Sequence, residues 1–147
     1  MAYLDAWEEE LTDFVKKYYQ DFFNKNGFVF LRKDSGCFIY SDSAVLLKIE
    51  NKQKKYIVQI GQASDSVFWD WELFISNFKF MDYKISESDV GNRKNVLLKS
   101  VNRDDYSGNV NILSRNLKRI KTDLASDKYK KTKEQLVNLE LERIRFQ

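Results

Sequence analysis

The side chains most able to do chemistry are carboxylates set among aromatic rings. Trp69-Asp70-Trp71-Glu72 alternates two indoles with two acids, a setting in which desolvation could raise a carboxyl pKa into the range of a general acid. The plainer reading is a strand whose tryptophans pack inward while Asp70 and Glu72 share a solvent face. A second grouping is Glu50-Asn51-Lys52 with Asp34 or Asp42 upstream. It loosely follows the acid…acid-x-Lys order of metal-dependent nucleases, in which carboxylates hold Mg²⁺ and the lysine steadies water or phosphate. The same residues also suit a charged hairpin turn. Asp104-Asp105 ahead of Tyr106-Ser107-Gly108 reads as a turn before a helix.

The chain contains no histidine. Serine–histidine and cysteine–histidine hydrolysis, histidine-ligated zinc and imidazole general-base mechanisms are therefore excluded. Cys37 is the one cysteine, so no intramolecular disulfide or cysteine-rich metal site can form. Its neighbours Phe38 and Ile39 mark it as a small buried hydrophobe rather than a nucleophile. The five glycines, Gly27, Gly36, Gly61, Gly91 and Gly108, are isolated and build no phosphate-cradling loop. Nothing here calls for a cofactor or a resident metal.

The surfaces offer more than the motifs. Residues 1–27 carry three basic and six acidic side chains, whereas residues 93–147 carry fourteen basic and seven acidic. Arg115, Lys118, Arg119 and Lys121, then Lys128, Lys130, Lys131 and Lys133, concentrate that positive charge. Clusters of this kind neutralise phosphates, and Tyr106 and Tyr129 stand near enough in sequence to stack on bases. A solvated helix face is the plainer account. Aromatic residues are also enriched at binding hot spots, which makes Trp69, Asp70, Trp71 and Glu72 candidates for a protein interface with a basic partner.

These residues need a scaffold. At 147 residues, 43% hydrophobic and 32% charged, the composition is globular and predicts one domain, 1–147, with a basic helical appendage over 127–147. Leu4, Trp7, Leu11, Phe14, Val15, Tyr18 and Phe22 recur at helical spacing and predict a helix over about 3–25, stopped by Asn26-Gly27. Short apolar runs at 28–31, 37–40, 44–50 and 56–60, separated by polar turns, predict an antiparallel meander of three or four strands. Residues 67–80 fit a strand or a helix equally. A polar loop over 86–95 and a short apolar run at 96–98 follow. Val110, Leu113, Leu117, Ile120 and Leu124 predict one helix; Leu136, Val137, Leu141 and Ile144 predict another over 127–145, whose lysine-rich start projects or frays.

The expected fold is therefore α+β: an N-terminal amphipathic helix on an antiparallel meander, then two C-terminal helices. The first ten residues lack the basic and apolar segments of a signal peptide, and no apolar run reaches the roughly 18 residues of a membrane span. A cytoplasmic protein is expected, and the proline-free, Lys- and Asn-rich composition points to a bacterial or phage source. The expected function is non-catalytic protein binding, as in an immunity protein that neutralises a toxin or a phage anti-defence protein. Nucleic-acid binding through Arg115, Lys118, Arg119, Lys130 and Lys131 is the alternative, and a carboxylate- or metal-dependent nuclease or hydrolase the third.

Overall fold

The computed structural model describes residues 5–64, 67–82 and 104–145, which form an α+β fold. The polar loop over 86–95 and the apolar run at 96–98 lie outside the described residues. The chain divides into two compact units, residues 1–70 and 71–147.

The first unit begins with a helix of three parts. Helix α1, Ala6–Phe14, opens with Glu8 and Glu9 in its first turn, where the helix dipole favours negative charge. A π-helical turn, Val15–Tyr19, leads into α2, Gln20–Asn26. Gly27 ends the helix in the left-handed region, with φ 72°, and its N–H donates to the Phe23 carbonyl. The buried face carries Leu11, Phe14, Val15, Tyr19, Phe22 and Phe23. Uniform 3.6-residue spacing puts Tyr18 on that face. The π turn inserts one residue, and Tyr19 takes the place instead, 2% exposed.

Five antiparallel strands run in the order β1 to β5: Val29–Asp34, Cys37–Ser41, Val45–Lys52, Lys55–Gln62 and Trp69–Asp70. The register pairs Phe38 with Ile49 and Tyr40 with Leu47, then Leu47 with Ile60 and Ile49 with Val58. These side chains share the face on which the helix lies. Phe14 stacks on Tyr56 at 4.0 Å and Phe23 on Tyr40 at 4.1 Å, while Trp7 leans on Phe38 at 5.9 Å. Leu11, Leu47, Ile49 and Ile60 are fully buried between the two layers, each contributing about 1.5–3 kcal/mol by leaving water. The opposite face holds a smaller cluster of Cys37, Ile39 and Leu46, against which Phe68 packs.

Polar side chains fix the turns. Asp42 accepts from the Ala44 and Val45 N–H groups at 3.0 and 2.8 Å and shapes the β2–β3 turn. Asn51 accepts from Lys54 N–H at 2.9 Å and donates to the Trp7 carbonyl at 3.1 Å, tying the β3–β4 turn to the helix. Gly61 lies directly under the Val67 carbonyl, so no larger residue fits where the chain returns towards β5.

The second unit contains α3, Trp71–Asp82; α4, Tyr106–Ala125; and α5, Tyr129–Arg145. Residues 67–80 thus resolve into a two-residue strand followed by a helix. Trp69 to Phe78 are buried without a break, so the segment has no exposed face from which a period could be read. Asp105 caps α4 by accepting from Gly108 N–H at 3.1 Å. The buried stripe of α4 is Asn109, Leu113, Leu117, Ile120 and Leu124. That of α5 is Tyr129, Thr132, Leu136 and Leu139, while Val137 and Leu141 are 45% and 60% exposed. The lysine-rich start of α5 is therefore anchored, not frayed: Tyr129 and Thr132 extend the stripe one turn earlier than the aliphatic residues alone suggest. Among the described residues no helix is long and apolar enough to cross a membrane.

The β3–β4 turn holds Gln53 and Lys54 at φ 54° and 66°, a left-handed pair that favours Asn-Gly. Replacing them, Gln53→Asn with Lys54→Gly, should keep the backbone N–H that Asn51 accepts and raise stability by about 1 kcal/mol. Chemical denaturation checks this, read as a higher midpoint at unchanged slope.

Candidate functional site

Trp69, Asp70, Trp71 and Glu72 are 8%, 7%, 4% and 9% exposed. Asp70 sits across from Gln59 on the β4–β5 pair and accepts from its side-chain amide at 2.9 Å. Trp69 pairs with Ile60 in the same ladder, and Trp71 and Glu72 open α3. The two carboxylates therefore do not share an outward face, and the four side chains present no exposed patch. The order Trp-acid-Trp-acid marks the change from strand to helix.

The parts of the nuclease-like grouping are also dispersed. Asp42 is committed to its hairpin turn, and Asn51 to the helix and the next turn. The register does align Asp34 with Cys37 and Cys37 with Glu50. These three line a cleft of about 490 Å³ with Arg32, Lys48 and Phe68 on the sheet face away from the helix. Arg32 pairs with Asp34 at 3.3 Å, and Lys48 lies over the Phe68 ring at 4.9 Å. Among the described residues no three carboxylate or thiol groups converge to hold a metal ion. Burial pushes the Cys37 thiol pKa up, with Lys48 opposing, so little thiolate forms at neutral pH.

The basic residues are the ones the fold gathers. Arg115, Lys118 and Arg119 of α4 meet Lys128 and Lys131, at the start of α5, around a cleft of about 890 Å³ with Phe78 among its walls. Lys130, expected to join them, is absent from this lining. Tyr129 is buried, with Lys133 Nζ 5.4 Å from its ring, and has no face to offer a base. Arg119 lies 4.1 Å over the Phe78 ring and forms two hydrogen bonds of 2.9 Å with Asp82. That pairing holds the Asp82 carboxyl below the ordinary carboxylate range. Lys118, Lys128 and Lys131 form no salt bridge among the described residues.

Among the described residues Asp123 is the one acid lining this cleft. One of its oxygens accepts from the Thr132 hydroxyl at 3.0 Å, and the other is enclosed without a hydrogen-bond partner among the described residues. Burial raises the Asp123 pKa, opposed by Thr132, Arg119 and Lys128.

Sequence reasoning placed β1 inside the meander and missed what it exposes. Every residue of β1 is exposed, and Val29, Phe30 and Leu31 are 66%, 55% and 48% so. A bulge between Phe30 and Arg32 leaves Leu31 out of the ladder. The signal lay in the residues that follow: Arg32-Lys33-Asp34 is the charged run by which edge strands resist pairing.

Because the folded pKa of Asp123 is raised, its ionisation costs stability above that pKa, and the cost vanishes as acid protonates both states. Asp123→Asn keeps an oxygen for Thr132 and removes the charge. It should therefore stabilise the protein by about 1 kcal/mol at pH 7 and by much less near pH 3. Denaturation midpoints of both proteins at the two pH values check this.

No family model matches this chain, and neither a curated protein nor a solved structure matches it.

Proposed function

We propose that this is a non-catalytic protein-binding protein that takes up an extended segment of its partner along the β1 edge. The observation that carries this reading is the exposure of Val29, Phe30 and Leu31 on the outermost strand. An edge strand presents unpaired backbone N–H and C=O groups, and a second strand satisfies them while burying the apolar side chains alongside. Phe30 is already ordered, because it meets Phe38 and Tyr40 edge-on at 5.7 Å each. It offers an aromatic anchor at low entropic cost.

The bulge and the charges beyond it confine pairing to the apolar half of β1. A partner segment with apolar side chains is favoured there, and flanking charges of its own would select its direction. Such occlusion is the activity of an immunity protein facing a toxin, or of an anti-defence protein facing a defence effector, and it needs no catalytic group. The buried Trp69–Glu72 segment takes no part in this binding.

A photo-crosslinking residue at Leu31 should capture one partner protein from host lysate, and the same group at Val137 should not. Adding Val29→Lys should lower the yield at least about tenfold, the effect of about 1.4 kcal/mol in affinity, with the circular dichroism spectrum unchanged. Capture of a second copy of this chain alone, or equal capture from both positions, would overturn the reading.

A further inference from the structure

The cleft between α4 and the start of α5 is a second site, independent of the β1 edge. Its cations come from α4, from the short turn after it, which carries Lys128, and from the first turn of α5. Arg115 and Lys118 stand on one wall, Lys128 and Lys131 on the other, and all four are exposed at the rim. Against them the described lining holds one carboxylate, Asp123, of which one oxygen is already engaged by Thr132. Arg119 is neutralised by Asp82 and lies over Phe78, so it shapes a wall and adds little net charge.

The cleft also supplies a neutral donor. Gln135 lines it, and its amide oxygen accepts from Asn77 at 3.0 Å. That bond fixes the orientation of the amide and leaves its nitrogen unused among the described residues. Four cations without a salt bridge among the described residues, of which Arg115 also donates to the Asn111 carbonyl at 3.4 Å, and an oriented amide donor surround about 890 Å³ and form an anion-binding arrangement.

We propose that this cleft binds the phosphodiester backbone of single-stranded nucleic acid. The cations stand on opposite walls and not around one point, so they suit successive phosphates of a chain better than one phosphate group. Among the described residues the lining offers a single aromatic ring, Phe78, with Arg119 already over it. Binding is therefore carried by charge and is indifferent to sequence.

The test is fluorescence anisotropy of a labelled twelve-nucleotide oligothymidylate against the whole chain, with thymidine monophosphate as competitor. Affinity should fall with salt at a logarithmic slope of about −2 to −3, as expected when three or four phosphates of a single strand are neutralised. Lys131→Glu should weaken binding at least about tenfold. Lys130→Glu, with the same change of net charge outside the lining, should weaken it no more than about twofold. Asp123→Asn removes the opposing carboxylate and should tighten binding, a gain that misfolding cannot imitate. Three results would overturn the proposal: no saturable binding at low salt, equal losses at Lys130 and Lys131, or a mononucleotide that competes as strongly as the oligomer.

Discussion

The N-terminal helix must reach the sheet at both of its ends, and a regular α-helix cannot do this with these residues. Phe14 and Phe23 are nine positions apart, and at about 100° per residue they would point to opposite sides of a straight helix. Both nevertheless stack on sheet tyrosines, Phe14 on Tyr56 and Phe23 on Tyr40. The π turn at Val15–Tyr19 absorbs one residue and brings the two rings back to one face. With both ends held, Glu8 meets Lys33 at 3.1 Å and Asn51 reaches the Trp7 carbonyl. The hairpins and the helix are fixed together by that match.

The same arrangement determines what stays uncovered. The helix shields the inner faces of β2, β3 and β4, where Phe38, Tyr40, Leu47, Ile49 and Ile60 are buried. Beyond β2 the cover thins: every residue of β1 is exposed, and Lys33 reaches the helix through its ion pair with Glu8. Phe30 rests on the edges of Phe38 and Tyr40 but remains 55% exposed. An apolar edge of this kind is a liability in a protein with no partner for it. The charged half of β1 and the bulge at Leu31 limit that liability without removing it, which is why the edge carries the functional reading.

Much of the architecture was legible because its signals are local. Asn26-Gly27 stops a helix for a reason internal to two residues, and the polar turns between short apolar runs force antiparallel neighbours. What escaped depends on the surroundings. Tyr18 and Tyr19 are chemically alike, so nothing in the sequence shows that a widened turn buries the second. The tryptophan-rich segment carries Asp70 and Glu72 inward, and an acid in a sequence is normally read as a mark of solvent. Thr132 looked polar and therefore outward, yet its hydroxyl reaches Asp123 across the helix pair and lies in the buried stripe.

That buried threonine also explains why the basic residues converge as they do. On α5 the stripe runs through Tyr129, Thr132 and Leu136, and the cleft is lined by the residue before each: Lys128, Lys131 and Gln135. Lys130 follows Tyr129 and so falls on the other flank. On α4 the stripe of Leu113, Leu117 and Ile120 sends Arg115, Lys118 and Arg119 to the matching side. Packing two stripes against each other thus sorts the lysines and arginines into those that share a cleft and those that do not. A count of positive charge along the sequence cannot make that distinction. The polar contact between Asp123 and Thr132 sits at the seam, holding the first turn of α5 down on α4. Without it the lysine-rich turn would have only Tyr129 to bury, and the cations of α5 would lose their fixed position opposite those of α4.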